Sequence, residues 1–329
     1  MKARIRYIDI AKGIGIISVI IGHTIPESVN IIYSFHMPLF FILSGYFFGF
    51  SGPKNCLTKS IKRLVIPYVI AICCFIAFYL LKSFFDGNTS WIRWIQAGIY
   101  GSGWDYDQPM YIPGVGGIWF LLALFIAMNM LNSLQQFPEY IRLVFVCALG
   151  YWGWYTYALF PLPWEIQNGC LGLVFLYIGY LFKQYEVLSK KDSLLYIFAL
   201  LVWVFALWKQ FAFVSMVNCS IRLINIITAT CGVIVCVGGS KFIDNKISIL
   251  GKILAWIGKR TEIILIVHIF ELHTGIIQDS INGVIGKNKV YFILVVRLLW
   301  AGVFALLIPL MKRRGKHLIS QFNKIAEKE

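Results

Sequence analysis

Residues 7–24 read YIDIAKGIGIISVIIGHT, an almost continuous apolar run that also contains the ionisable residues Asp9, Lys12 and His23. A helix that crosses the ~30 Å hydrocarbon core of a bilayer needs about 20 such residues. A charge near the centre of a spanning helix costs roughly 2.5–3.5 kcal/mol on insertion scales, so ionisable residues there are functional candidates. This run therefore predicts a membrane span that does more than anchor the chain.

The rest of the chain repeats the apolar pattern. It is 59% hydrophobic and only 14% charged, whereas soluble domains contain about a quarter charged residues. Lipid-exposed chain must satisfy its own backbone hydrogen bonds, so each apolar run is predicted to be a helix. We expect an all-α polytopic membrane protein, a bundle of about ten transmembrane helices in which residues 1–329 form one domain. The predicted spans are 8–25, 31–50, 64–81, 116–134, 142–160, 166–182, 194–208, 221–239, 261–280 and 290–311.

The basic residues predict the orientation of these spans. With ten spans, 22 of the 30 Lys and Arg residues fall on the side of the N-terminus and six on the other side, while Lys12 and Arg297 lie inside spans. Because cytoplasmic segments of membrane proteins are enriched in Lys and Arg, both termini are predicted to be cytoplasmic, with a basic tail at 312–329. The net charge of +15 is thereby interpreted as a topology signal, and no nucleic-acid partner is predicted.

Two segments between the predicted spans have a distinct composition. The outside loop 82–115 is rich in Trp and Tyr, and its stretch SWIRWIQAGIY is compatible with a helix in the plane of the interface. This loop is either an interface anchor or, alternatively, a lid or a sugar-binding wall, since aromatic faces also pack on sugar rings. The segment 241–260 predicts a basic amphipathic helix on the cytoplasmic surface, attracted to anionic membrane lipids.

Helical spacing places the three ionisable residues of the first span on one face. Lys12 and His23 are eleven residues apart, which is about three turns and roughly 16 Å along the axis. Asp9 lies one turn before Lys12. Asp9 and Lys12 alone are also compatible with an ion pair near the interface in which the lysine snorkels. All three residues together at helical spacing favour a functional stripe.

Later spans add further candidates. His36 opens the second span and should lie near His23, because the connecting loop is short. Ser44 follows on the same span beside Gly45, where the two form a small packing surface. Trp119 starts the fourth span at the outer interface.

The last two spans contain buried charges. In the ninth span, His268 and Glu271 are three residues apart and share a face, whereas His273 points elsewhere. The pair is either structural or an acid–base couple. Arg297 in the tenth span needs a buried carboxylate or carbonyl partner. The H-x-x-x-H zinc spacing is absent, and no metal is predicted.

The basic-x10-His pattern, followed by FHMPLFFILSG at 35–45, resembles the acyltransferase-3 membrane acyltransferases. Within that family, IDIAKGIGIISVIIGHT is similar to the fucose 4-O-acetylase-like branch, and IWFLLALF and IGKRTEIILIVH also match. The resemblance implies an O-acetyltransferase, an acyltransferase for groups other than aminoacyl groups, in the bacterial cytoplasmic membrane. It implies acetyl-CoA from the cytoplasm as donor and a hydroxyl of a cell-surface or lipid-linked glycan as acceptor.

The resemblance also implies roles for the candidates. His23 would be the catalytic base or would carry the acetyl group itself, and Lys12 and Asp9 would assist at the donor end. Lys12 and Arg63 would bind the donor, although most of the family has Arg in place of Lys12 and lysine lacks the bidentate fork. The acceptor side would be shaped by His36, Ser44, Trp119, His268 and Glu271.

A transporter or exporter of a glycan intermediate is the alternative, because it too would have intramembrane charges. Transporters often contain two similar halves and broken helices. Neither feature is evident in this sequence, so we favour the acyltransferase.

Overall fold

The computed structural model describes residues 5–87, 89–107, 110–189, 193–212, 214, 216, 222–281 and 289–326. In this part of the chain the secondary structure is helical, without β-strands, which confirms the predicted all-α class. The α-helices are α1 Arg6–Gly22, α2 Val29–Tyr33, α3 His36–Tyr46, α4 Pro53–Ser60, α5 Ile66–Asp86, α6 Ser90–Tyr100, α7 Trp119–Ser133, α8 Glu139–Tyr157, α9 Ile166–Gln184, α10 Ser193–Trp208, α11 Leu223–Lys246, α12 Ser248–Gly258, α13 Thr261–Thr274, α14 Ile276–Ile281 and α15 Lys289–Ala326.

Several helices are suited to cross a bilayer, so the chain is a membrane protein. Among the described residues, six are long and apolar enough by length and composition: Pro26–Tyr46, Pro53–Asp86, Gly116–Gln136, Pro163–Gln184, Leu223–Lys246 and Lys289–Met311. The four other predicted spans correspond to α1, α8, α10 and the pair α13–α14. The count of about ten therefore stays a prediction. The predicted tail 312–329 continues α15 to Ala326, and 327–329 lie outside the described residues.

The segment 241–260, which was predicted to be a basic amphipathic surface helix, also packs on the bundle. It contains the last turns of α11 and the whole of α12, and α12 packs directly on α1. A methyl group added at Gly258 would lie 1.8 Å from the carbonyl oxygen of Asp9, so only glycine permits this approach. The buried Leu254 and Ala255 cover Ile10 of α1. Part of the apolar side of this segment is therefore packed into the bundle, whereas Ile249 (75%) and Ile253 (52%) stay exposed. The attraction of the segment to anionic lipids stays a prediction.

A second close crossing joins α3 to α9. A methyl group at Gly45 would lie 1.8 Å from the carbonyl oxygen of Leu176, and one at Gly179 would lie 1.9 Å from that of Ile42. Each glycine thus admits the backbone of the other helix, as small residues do between membrane helices. This crossing holds α3, and with it His36, against the rest of the bundle.

Gly45→Ala is expected to destabilise the protein by about 3 kcal/mol or more, because the clash is with backbone that cannot rotate away. Thermal unfolding of the detergent-solubilised protein measures the effect. Gly302→Ala is the matched control: Gly302 is also helical, but an added methyl group meets nothing within 4 Å, so this change should be neutral or slightly stabilising. Equal melting temperatures for both variants would contradict the close crossing.

Candidate functional site

A cavity of about 680 Å³ lies inside the bundle along α1. Lys12 and His23 both line it, as the predicted stripe requires. The other predicted site residues that line it are His36, Ser44, Arg63 and Trp119. The cavity therefore connects two groups of side chains about three helical turns apart, which we call the Lys12 end and the His23 end.

The Lys12 end is rich in charge. Lys259 lines it beside Lys12, because Gly258 packs against the backbone of α1 at Asp9 and Gly13. Arg63 reaches the same end from the π-helical turn Ile61–Val65. Helix α7 starts near His23. Ten residues further along α7, Asn129 donates a hydrogen bond to Ser60 (3.0 Å), which directly precedes the π-helical turn. The turn therefore lies at the end of the cavity away from His23. Glu262, at the start of α13, is the acidic member of this group.

Asp9 does not line this cavity. It is buried, with 5% of its surface exposed, and it lines a smaller neighbouring pocket together with Arg6, Lys252 and Lys259. The reason is the helical repeat: three residues turn about 300°, so Asp9 is offset by about 60° from Lys12. The crossing of α12 separates the two directions, and the stripe therefore consists of Lys12 and His23.

Three histidines line the His23 end: His23, His36 and His273. His36 is 4% exposed, and its Nδ1 donates a hydrogen bond to the carbonyl oxygen of Ile32 (2.8 Å). His273 points away from His268 and Glu271, as its position in α13 predicts, and this direction takes it into the cavity. Its ring lies against Gly116, where a methyl group would be 2.1 Å from Nε2.

Behind His23 lies a row of buried polar groups that the cavity does not reach. Nδ1 of His23 is 3.2 Å from Nε2 of His268. Nδ1 of His268 faces the Glu271 carboxylate, with 4.0 Å to Oε2. The same Oε2 lies 2.9 Å from Nε of Arg297. The two groups form an ion pair, but the N–H bond does not point at the oxygen, so these two atoms make no hydrogen bond. His268 and Glu271 thus stand behind the cavity wall.

Arg297 connects this row of buried polar groups to α1. Its guanidinium donates a hydrogen bond to the hydroxyl of Thr24 (3.0 Å), next to His23. The buried carboxylate that Arg297 was predicted to need is Glu271, and that prediction is confirmed. The ion pair therefore connects α13 and α15 to the C-terminal end of α1.

The segment 82–115 forms one wall of the His23 end. Its stretch SWIRWIQAGIY is the helix α6, as predicted, and Trp94 is buried in a parallel stack on Phe75 with 3.8 Å between ring centroids. Trp94 is therefore a packing residue and not an interface anchor. The following loop contributes Trp104 and Asp105 to the cavity, and Arg93 joins them from α6.

Five charged or histidine side chains that line the cavity were missed by sequence reasoning: Arg93, Asp105, Lys259, Glu262 and His273. Four of them lie in the connections or at helix starts, where helical spacing gives no direction. For His273 a signal existed, since it is an ionisable residue within a predicted span. No group of three or more His, Cys, Asp or Glu side chains among the described residues is arranged to hold a metal ion.

The family model of the acyltransferase domain, from the acyltransferase-3 family, matches residues 5–313. No curated protein and no solved structure matches the chain.

Proposed function

Because the chain belongs to the acyltransferase-3 family, we propose that it transfers an acetyl group from cytoplasmic acetyl-CoA to a glycan hydroxyl on the other side of the membrane. The match over residues 5–313 supports a transferase of acyl groups. The observation that carries the finer proposal is the single cavity that joins the cations at the Lys12 end to the histidines at the His23 end. The two ends suit an anionic donor and a hydroxylated acceptor, respectively.

The donor end fits coenzyme A. Lys12, Arg63 and Lys259 line it, and clustered cations attract phosphates. The predicted topology puts this end at the cytoplasm, where acetyl-CoA is made. The pantetheine arm is long enough to carry the acetyl group along three helical turns to His23. The phosphates would then stay with the three cations while the thioester reaches the histidines.

His23 is the proposed general base. The Glu271 carboxylate favours a proton on the facing Nδ1 of His268, which leaves Nε2 of His268 as an acceptor. That nitrogen is 3.2 Å from Nδ1 of His23, so it accepts the Nδ1 proton. The lone pair of His23 is then on Nε2, the nitrogen that remains for the cavity. Arg297 pairs with the same carboxylate, with 2.9 Å between its Nε and Oε2.

The reaction then needs one proton shuttle. Nε2 of His23 removes the proton of the acceptor hydroxyl as its oxygen bonds to the acetyl carbonyl carbon. The carbon–sulfur bond breaks, and His23 returns the proton to the thiolate, which leaves as the free thiol of coenzyme A. The same Nε2 is the atom on which a covalent acetyl-histidine would form. Intact-mass measurement after mixing with acetyl-CoA alone distinguishes the two routes.

Lys12→Ala is expected to raise the KM for acetyl-CoA about 10–100-fold, since charge-assisted hydrogen bonds contribute about 1.5–3 kcal/mol. Lys12→Arg keeps the charge and should change this KM by less than about threefold. The measurement is transfer of label from radioactive acetyl-CoA by purified protein. Lys54→Ala is the matched control, because Lys54 is an exposed lysine outside the cavity and lies on the predicted cytoplasmic side.

Two results would contradict this assignment of the donor end. One is an unchanged KM for acetyl-CoA in Lys12→Ala. The other is an equal rise in Lys54→Ala, which would indicate general charge attraction. A wild-type protein that releases no free coenzyme A would contradict the proposed function itself and favour the transporter.

A further inference from the structure

We infer that Trp104, Arg93 and Asp105 form a binding site for a neutral sugar ring with adjacent hydroxyl groups, at the His23 end of the cavity. The inference rests on the proposed function and names how the acceptor is held. All three side chains line the cavity. None belongs to the proposed catalytic row.

Arg93 and Asp105 present a paired donor and acceptor. Nη2 of Arg93 donates to Oδ1 of Asp105 (2.7 Å), and the backbone N–H of Gly114 donates to the same oxygen (2.6 Å). Nε of Arg93 donates a hydrogen bond to the hydroxyl of Tyr111 (3.3 Å). Nη1 of Arg93 and Oδ2 of Asp105 make no hydrogen bond within the described part of the chain.

That arrangement matches two neighbouring hydroxyl groups. One hydroxyl accepts from Nη1 while the next donates to Oδ2, because guanidinium offers only donors and carboxylate only acceptors. The two charges cancel, so the pair favours a neutral ring over an anionic one. The side chains are 29% and 51% exposed, which leaves both accessible from the cavity.

Trp104 supplies the apolar contact. It is 64% exposed although it lines the cavity, whereas Trp94 of the same segment is 2% exposed and already stacked. Burying a free indole face against the C–H face of a sugar recovers apolar area that the fold leaves in contact with solvent. An aromatic face beside a hydroxyl-recognising pair suits a pyranose ring.

The spacing to His23 is right for a single acceptor molecule. Gly114 is bonded to Asp105, and a methyl group at Gly117 would lie 3.9 Å from Cε1 of His23. Three residues of chain cover at most about 11 Å. This upper limit leaves Asp105 close enough to His23 for an acceptor whose ring is held at Trp104 to present a hydroxyl to the base.

The test uses the purified full-length protein, labelled acetyl-CoA and defined acceptors: methyl glucopyranoside, methyl galactopyranoside and cyclohexanol, which has one hydroxyl. Trp104→Ala and Asp105→Asn are expected to raise the KM of a pyranoside about tenfold or more, because each removes a ring or hydroxyl contact. The KM of acetyl-CoA should stay unchanged. Trp104→Phe keeps an aromatic face and should stay within about threefold of wild type.

The controls separate this site from a folding effect. Trp208→Ala removes an equally exposed indole (70%) outside the cavity and should leave the pyranoside KM unchanged. The inference is overturned if neither Trp104→Ala nor Asp105→Asn raises the pyranoside KM. It is also overturned if these substitutions raise the KM of cyclohexanol as much as that of the pyranosides. It is also overturned if wild type releases coenzyme A but acetylates no pyranoside. Absence of any coenzyme A release would instead sink the proposed function.

Discussion

Alanine in place of His23 is expected to lower acetyl transfer by about 10²–10⁴-fold, the contribution of a positioned general base. The imidazole is the cavity group backed by the row of His268, Glu271 and Arg297. His36 is the alternative base, but its Nδ1 donates to a neutral backbone carbonyl, whereas His23 is backed by the row that leads to the Glu271 carboxylate. Transfer of label from acetyl-CoA to an acceptor, at matched protein amounts, measures the loss.

A second substitution at the same position separates chemistry from packing. His23→Gln keeps a side-chain amide that can hydrogen-bond His268 but cannot accept the hydroxyl proton and return it. It should fold as wild type and still lose transfer as strongly as His23→Ala. Added imidazole should restore part of the activity of His23→Ala through the adjacent cavity. Full transfer by either variant at normal protein levels would rule out His23 as the base.

The second large effect is expected from the Glu271–Arg297 ion pair. Both side chains are buried, at 1% and 6% exposure, so removing one leaves an uncompensated buried charge at a cost of about 3–5 kcal/mol. Glu271→Leu and Arg297→Met alone should each lower the melting temperature strongly. The double variant has no buried charge left at this position, and it should recover most of the stability.

Activity distinguishes the two roles of this pair. If Glu271 orients the histidines, the double variant stays about tenfold or more below wild type in transfer, because His268 has lost its facing carboxylate. Recovery of both melting temperature and transfer would mean that the pair is only structural. Thermal unfolding and label transfer on the four proteins complete the cycle.

How far the sequence predicts this site depends on helix regularity. The Lys12–His23 stripe followed from the eleven-residue spacing because α1 is an uninterrupted helix over 17 residues. The same regularity explains the failure for Asp9, whose 60° offset is small on a helical wheel but decisive once α12 packs at Gly258. The position of α12 depends on a glycine contact about 250 residues distant in sequence, which no local pattern contains.

The wall that the segment 82–115 forms at the His23 end could not be derived for a different reason. Asp105 and Arg93 meet because the loop after α6 folds back, with Ser102 paired to Gly114 and Tyr106 to Ile112. Composition indicated an aromatic loop but not its path. The need of Arg297 for a partner was predictable from the cost of a buried charge, and the choice of Glu271 required the contact of α13 with α15.

The proposed function requires that one cavity lets His23 join a cytoplasmic donor to an acceptor on the far side. Right-side-out vesicles from cells that make the protein, loaded with labelled acetyl-CoA, test this most directly. We expect alkali-labile label on the outer surface glycan with the wild-type protein and none with His23→Ala. Equal labelling by both proteins, or labelling only when acetyl-CoA is added outside, would contradict it.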